Sequence, residues 1–403
     1  MPKVITDEKR IDEILNRGTI VEILPDKKEF KKLLLSGKRL RFYIGFDATS
    51  PTLHLSHAKN FMLLEKFRQL GHEVIVLFGD FTAQIGDPSD KDSTRKQLTK
   101  KEVDANVKKW KSQIKPLMGF DDKKNPPKIM YNSKWLSKMQ LRDFLGIAAN
   151  FTVQQIIERD MFQRRLKNKK PIYLHEFIYP LMQGYDSVVM DVDVELCGTD
   201  QIFNALVGRE LLKKFKNKEK FVVAVTLMEN PKTGELMSKS KGIGVFLDAS
   251  YKDMFGQIMA QPDEMIEILF VNCTNLPLKE IKKILKTSSP KDAKQRLAYE
   301  ITKIFHGEKK AKQAEEEFVR VFSKKEMPQD IKEYKLKKGE YMLFDLLFKL
   351  KLASSKSEAK RLIKQGGVKI NDESITNEMS KITPKDGDVI RVGKRKFAKI
   401  KLV

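Results

Sequence analysis

Cysteine is nearly absent: the chain has two in 403 residues, Cys197 and Cys273, far apart in sequence. That excludes a disulfide framework, gives little support to a Cys/His zinc site and fits a reducing compartment, the cytoplasm. Histidine is also scarce, with five residues. No run of about 18 apolar residues occurs, so no membrane-spanning helix and no membrane partner are expected. The first stretch, MPKVITDEKRIDEIL, is charged and lacks the apolar core of a signal peptide. Neither GxxxxGKS nor GxxxxGKT occurs, which excludes a P-loop. Acidic residues are in deficit, 54 against 78 Lys and Arg, leaving a formal charge of +24. Such an excess points to a polyanion, most simply nucleic acid. A lysine-rich solvated surface gives the same count.

At this length, with 41% hydrophobic residues, two or three domains and a large core are expected. The stretch 41–57, RFYIGFDATSPTLHLSH, organises the rest. Phe42, Tyr43, Ile44 and Phe46 predict a short strand; Gly45 and Pro51 bracket a turn; a helix is expected over 55–70. His54 and His57 fall at its start. A helix N-terminus has unpaired N–H groups and a partial positive charge, so it suits phosphate. Histidines there add N–H donors and, when protonated, charge. By itself the pair is equally a metal half-site or two surface residues. EVIVLFG (73–79) reads as a second, buried strand, DVDVEL (191–196) alternates like a strand, and FVVAVTL (221–227) and 128–131 are further strand candidates. Helices are expected over 102–118, 202–215 and, with a break near Asn150, 141–167, and one or two short ones over 7–37. Strands alternating with helices predict an α/β fold with a doubly wound parallel sheet.

Three polar stretches carry chemistry. Residues 81–100 read as a loop with a turn at Gly86-Asp87-Pro88-Ser89. Between 175 and 189, Tyr179, Gln183 and Asp186 fall at i, i+4 and i+7, one stripe of a helix that Pro180 either starts or kinks. A phenol, an amide and a carboxylate there form a pocket wall or a polar face in water. The loop MENPKTGELMSKSKGIG carries Ser238, Lys239, Ser240 and Lys241, chemistry for closing on phosphate or a solvated lysine turn. Residues 250–330 are helix-rich, split at Ser289-Pro290, and 325–340 read as a linker. The last stretch, 331–403, holds ten of the net positive charges. It reads as helices at 344–350 and 356–365, then Gly366-Gly367, then strands at 368–371, 388–392 and 397–402. Lys356, Lys360, Arg361 and Lys364 form a basic stripe, for RNA phosphate or as a solvated face, and the Gly-Gly-strand pattern that follows favours the first.

These motifs resemble a family. His54-Leu55-Ser56-His57 is similar to the HIGH signature of class I aminoacyl-tRNA synthetases, and Leu236-Met237-Ser238-Lys239-Ser240 to their KMSKS signature. Tyr43-Ile44-Gly45-Phe46-Asp47, Gly86-Asp87-Pro88-Ser89, Tyr179 to Asp186 and Gly198-Thr199-Asp200-Gln201 narrow the resemblance to the bacterial tyrosyl-tRNA synthetases. SSKSEAKRLIKQGGVKIN resembles the RNA-binding fold of ribosomal protein S-four. The resemblance implies a Rossmann-like catalytic domain over 1–228, a KMSKS-type loop and helical anticodon-binding region over 229–330, and a small α+β RNA-binding domain over 341–403. It implies that Tyr43 and Asp186 bind the phenol of L-tyrosine and that Asp87, Tyr179 and Gln183 hold its ammonium group. Gln201 orients its carboxyl end. Gly45, Asp47, Thr49, His54, His57, Gly198, Asp200 and Lys239 form the ATP site. His54, His57, Lys239, Ser240, Lys91 and Arg95 act on the phosphates, with Mg²⁺ accompanying ATP. The partners implied are tRNA(Tyr) and a second copy in a homodimer. Four positions depart from the pattern: Ser56 replaces Gly, Leu236 replaces the first Lys of KMSKS, Asp90 stands where Gly is common, and Cys197 replaces Gly. A tryptophanyl-tRNA synthetase and a non-catalytic RNA-binding relative are the competing readings, and the Tyr43/Asp186 pair argues against the first.

Overall fold

The apolar runs assemble into one sheet in a computed structural model that describes residues 2–87, 98–236, 244–323, 331–371, 373–393 and 396–403. The chain divides into two compact units, Met1–Glu315 and Glu316–Val403. In the first, β1 (Ile20–Leu24), β2 (Arg41–Phe46), β3 (Glu73–Phe78), β4 (Lys128–Tyr131), β5 (Val194–Gly198) and β6 (Phe221–Val225) line up in the order β1-β6-β5-β2-β3-β4. Neighbours from β6 through β4 are parallel, and β1 runs antiparallel along β6. Val74 to Phe78 of β3 are all buried, as expected of a strand covered on both faces.

The parallel α/β expectation therefore holds for five strands, and β1 is the addition. Residues 7–37 contain helices Glu8–Leu15 and Lys27–Leu35, but β1 lies between them. Five residues, four of them apolar around Glu22, do not distinguish strand from helix. The partner strand decides: Ile23 faces Val223 and Leu24 faces Val222 across the ladder. Helix Leu55–Gln69 packs on the sheet through Phe67, whose ring stacks on Phe42 with centroids 4.4 Å apart. The stretch 141–167 resolves into three short helices, Leu141–Ala148, Val153–Ile157 and Asp160–Lys167. Pro180 lies inside helix Leu174–Met190.

That helix and Ile202–Lys216 approach closely at two glycines. A Cβ on Gly184 would stand 2.8 Å from Val207 Cγ1 and 3.1 Å from the backbone N of Gly208. Helices Tyr251–Met259, Ile266–Cys273, Leu278–Thr287 and Pro290–His306 follow in this unit, with Ser289 capping the last by accepting from the Asp292 N–H, and helix Glu308–Phe318 begins before its end. Arg17 ties the region to the N-terminal stretch, donating to the carbonyls of Val271 and Thr274 at 2.8 Å and of Leu276 at 2.9 Å. No helix among the described residues is long and apolar enough to cross a membrane.

The second unit is α+β. Its strands are β7 (Glu333–Leu336), β8 (Tyr341–Met342), β9 (Val368–Ile370), β10 (Glu373–Ile375), β11 (Lys381–Ile382), β12 (Val389–Val392) and β13 (Lys396–Leu402). Five form a sheet in the order β10-β9-β12-β13-β7, and β8 pairs with β11. Helices Leu343–Lys349 and Lys356–Lys364 share its core, in which Leu346, Leu347, Ala359, Ile363, Ile390 and Ala398 are fully buried. β7 corrects the linker reading for 333–336. Only Leu336 of its four side chains is buried, so composition reads as linker, while parallel pairing with β13 makes it a strand.

Candidate active site

A cavity of about 510 Å³ opens at the C-terminal ends of β2, β3 and β5. β2 lies between the other two, so connections diverge at this point, where open α/β sheets bind ligands. His54 occupies the N-cap of helix Leu55–Gln69. The stretch just before it is laced to a segment nearly two hundred residues later. Leu55 N–H donates to the Val245 carbonyl at 3.0 Å, Leu247 N–H to the Leu53 carbonyl at 2.9 Å, and Thr52 Oγ1 to Asp248 at 2.8 Å. The chain that follows 237–243 is thereby held against the His54 turn. Leu236 itself lines the cavity.

The deep end of the cavity is polar and buried. Asp186 is 2% exposed; Trp135 Nε1–H donates to its Oδ1 at 2.7 Å and Asn132 Nδ2–H to its Oδ2 at 3.2 Å. Burial pushes this carboxyl well above the usual carboxylate range, and the two N–H donors oppose that push. Tyr43, 1% exposed, has its hydroxyl 3.1 Å from Ser187 Oγ. Burial, then the carboxylate of Glu195, raises its phenol well above its ordinary value. Both groups therefore serve as hydrogen-bonding partners.

A second cluster surrounds Asp47. Its Oδ1 accepts from Thr82 Oγ1 at 2.6 Å and its Oδ2 from the Tyr179 hydroxyl at 2.9 Å. Gly79 makes this possible, because a Cβ there would overlap Asp47 Oδ1. Tyr179 spends its proton on Asp47, so its oxygen is left as an acceptor. Gln183 donates to Glu195 at 3.2 Å and accepts from Asn204 at 3.0 Å. Gln201 Nε2–H donates to Asp87 at 2.7 Å and to Asp200 at 3.2 Å. Gly198 needs to be glycine for the same reason as Gly79: a Cβ would overlap Asp200 Oδ1.

The structure brings together every described residue that the sequence nominated for tyrosine and ATP. Tyr43, Asp87, Tyr179, Gln183, Asp186 and Gln201 line the cavity, and so do Gly45, Asp47, Thr49, His54, His57, Gly198 and Asp200. Lys91, Arg95, Lys239 and Ser240 lie outside the described residues. Of the two roles expected of the histidines, N–H donor and, when protonated, charge, burial favours the first. His57 Nδ1 accepts from the His54 N–H at 3.3 Å. Burial lowers His54 to about 4, and burial followed by its neighbour His54 lowers His57 well below 6.5. Near neutral pH both are uncharged and offer hydrogen bonds, not cationic charge. In the second unit, Lys356 pairs with Asp345 at 2.6 Å and Lys360 Nζ sits 4.5 Å from the Phe344 ring centroid. Arg361 and Lys364 are exposed. Among the described residues, no group of three or more His, Cys, Asp or Glu is placed to hold a metal ion.

Residues 35–323 match the model of the class I tRNA synthetases (W and Y), and 343–389 match the S4 domain. The tyrosine–tRNA ligase of Geobacter metallireducens is 42% identical over 397 residues, 96% of this chain and 97% of its own length. The chain belongs to the tyrosine–tRNA ligase family of class I synthetases. The ligase of Moorella thermoacetica is 40% identical over 395 residues, 96% of this chain and 94% of its own. Among solved structures, a C-terminally truncated mitochondrial tyrosyl-tRNA synthetase of Aspergillus nidulans has a TM-score of 0.67 at 22% identity, covering 78% of this chain and 94% of that one. The Archaeoglobus fulgidus tyrosyl-tRNA synthetase complexed with L-tyrosine has a TM-score of 0.59 at 19% identity, covering 76% and 99%. Both carry the synthetase fold.

Sequence reasoning missed several residues of this tyrosyl-family site: Asn132 and Trp135 behind Asp186, Asn204 beside Gln183, Lys59 and Asn60 on the His54 helix, and Ser187, Glu195 and Lys220 behind Tyr43. A signal existed for two of them. Glu195 interrupts a buried apolar strand and Lys220 directly precedes another, and charged residues are seldom placed so without a partner. For Asn132, Trp135 and Asn204, nothing in spacing or composition marks them.

Proposed function

We propose that the chain activates L-tyrosine with ATP, giving tyrosyl-adenylate and pyrophosphate, and then transfers tyrosine to the 3′ end of tRNA(Tyr). The observation that carries this is the pair Tyr43 and Asp186. Two polar groups that are at most 2% exposed, at the end of a cavity of about 510 Å³, match a para-hydroxyl on an aromatic ring. Phenylalanine would leave both unpaired, and this family is itself the standard illustration of that discrimination.

The other roles follow the chemistry of the lining. The acceptor oxygens of Tyr179, Asp87 and Gln183 suit the ammonium group. Asp200 suits a ribose, and Gln201, bridging Asp87 and Asp200, orients the carboxylate between the two subsites. The substrate carboxylate attacks the α-phosphate. Since it is already an anion, no general base is required, and catalysis consists of positioning and of stabilising phosphate charge. Neutral His54 and His57 at a helix N-terminus donate hydrogen bonds there. Lys239, Ser240, Lys91 and Arg95 supply the cationic and hydroxyl contacts to pyrophosphate. Mg²⁺ accompanying ATP would be held through the nucleotide's phosphates and would neutralise part of their charge, since no described His, Cys, Asp or Glu cluster is placed to hold it. Residues 1–228 then form the catalytic domain, 229–330 the loop and anticodon-binding region, and 341–403 an RNA-binding domain whose Lys356, Lys360, Arg361 and Lys364 face phosphate.

The test is ATP–pyrophosphate exchange without tRNA, offering tyrosine, phenylalanine and tryptophan separately. Exchange with tyrosine alone is expected; exchange with tryptophan or with none overturns the reading. Asp186→Ala should lower kcat/KM for tyrosine by on the order of 100-fold, since it removes a hydrogen-bond acceptor and leaves the buried donors of Trp135 and Asn132 unpaired. A near-normal value removes Asp186 from the pocket. We also read the chain as one half of a symmetric homodimer in the cytoplasm. Exposed Leu141, Leu145, Val153, Leu166, Tyr173 and Leu174 offer apolar surface for such a contact, and both cysteines are free thiols. Light scattering on the eluted protein should give twice the chain mass; a monomer at every concentration rejects the dimer.

A further inference from the structure

The cavity walls are rich in acidic side chains. Asp47, Asp87, Asp186, Glu195 and Asp200 line it, and among the described residues one lysine and no arginine do: Lys59. His54 and His57, lowered by burial, supply no cation near neutral pH. Lys59 is the fifth residue of helix Leu55–Gln69 and is 3% exposed. Helical side chains lean toward the N-terminus, so this one runs back toward the turn that opens on the cavity. Its ammonium donates to Asn60 Oδ1 at 2.7 Å, and no carboxylate among the described residues lies within 4 Å of it. The other buried lysine among the described residues, Lys220, is paired with Glu195.

A buried ammonium that meets one neutral oxygen is costly, because a full charge and its N–H donors have left water. The surroundings do little to offset this. Cys273, whose Sγ lies 3.9 Å from the Leu55 carbonyl oxygen, is pushed up to about 12 by burial and is a neutral thiol near pH 7. Burial lowers Lys59 to about 8, with Cys273 and then Asp200 acting against that fall. The donors that Asn60 leaves over are on the ligand's side of the helix. ATP brings several negative charges into a cavity lined by acidic side chains, and a desolvated cation counts for most in such a place. We propose that Lys59 binds the phosphates of ATP, as a cation fixed on the helix side of the cavity. This rests on the assignment of the cavity to ATP. It adds a helix residue to Lys239, Ser240, Lys91 and Arg95 as a phosphate contact.

The test compares the wild-type chain with Lys59→Met and Lys59→Gln, by ATP–pyrophosphate exchange with tyrosine and by the thermal midpoint without ligands. KM for ATP should rise about tenfold or more in both variants, the size expected for a hydrogen bond from a charged group, with KM for tyrosine unmoved. Adenosine, which has no phosphate, serves as a competitive inhibitor against ATP, and its inhibition constant should stay the same. The midpoint of Lys59→Met should equal or exceed the wild-type value, since a buried charge without a counter-charge has been removed. A structural lysine would give the reverse, a lower midpoint with KM for ATP and for tyrosine rising together. That pattern, or an unchanged KM for ATP, overturns the proposal. Adenosine inhibition weakened as much as ATP binding would put Lys59 against the base or the sugar and overturn the phosphate contact. Lys59→Gln keeps a donor for Asn60 and decides the matter if the methionine variant does not fold. Should the wild-type chain fail to activate tyrosine with ATP, the functional assignment falls and this inference with it. Should it activate tyrosine while KM for ATP is unmoved in the variants, only this inference falls.

Discussion

His72 shows how burial sets the chemistry of a single residue. It is 0% exposed, and its Nδ1 accepts from the Leu40 N–H at 3.2 Å. Burial, then the nearby Arg39 cation, lowers its pKa to about 4. The unfolded value is about 6.5. Between these values the unfolded chain binds a proton that the folded chain refuses, so stability is full above pH ~6.5 and is lost as pH falls toward 4, by on the order of 3 kcal/mol for this residue. His72→Asn places an amide oxygen near Nδ1 and does not titrate. Urea midpoints between pH 7 and 4.5 should fall less steeply in this variant than in the wild type. Equal slopes would assign the acid sensitivity to other groups. His54 and His57 obey the same logic at the cavity, where neutrality lets them serve as donors without bringing two cations side by side.

At the scale of elements, the contact between helices Leu174–Met190 and Ile202–Lys216 positions Gln183, Asp186 and Asn204 in one place. Two opposing effects meet at Gly184. Replacing a mid-helix glycine by alanine gains about 1 kcal/mol in helix propensity. The added Cβ would stand 2.8 Å from Val207 Cγ1, 2.9 Å from Leu211 Cδ1 and 3.1 Å from the Gly208 backbone N. Backbone cannot yield as a side-chain tip does, and overpacking costs about 1–3 kcal/mol. Packing should win: Gly184→Ala is expected to lower the urea midpoint and to raise KM for tyrosine. An unchanged or higher midpoint would show that the helices separate without cost.

For the whole molecule, the positive charge is concentrated toward the C-terminal end, and the second unit carries exposed Arg361 and Lys364 on helix Lys356–Lys364. Contacts of this kind to phosphate release counterions, so affinity falls with salt. The double charge reversal Arg361→Glu/Lys364→Glu should weaken tRNA binding and reduce the salt slope by about two. Pyrophosphate exchange without tRNA should be unaffected. Filter binding at several salt concentrations measures the slope, and an unchanged slope would place RNA elsewhere. Lys356 and Lys360, held by Asp345 and the Phe344 ring, should matter less.

Much of this was legible from the order of residues alone. β2, β3, β6 and helix Leu55–Gln69 follow from apolar period and turn chemistry, because strands covered on both faces must be nearly continuous apolar runs. The Tyr179, Gln183, Asp186 stripe follows from helical geometry, and the resemblance supplied the pairing of its residues with Tyr43 and Asp87. Tertiary structure decided the rest. It made β1 and β7 strands, since each exists by pairing with a partner distant in sequence. It brought Asn132 and Trp135 behind Asp186 and set Lys220 behind Ser187 and Tyr43, contacts that no local pattern encodes. It also fixed the charge of the histidines. A residue type announces what chemistry is available, but its protonation state and hydrogen-bond direction depend on desolvation and neighbours, and those exist only once the chain has folded around them.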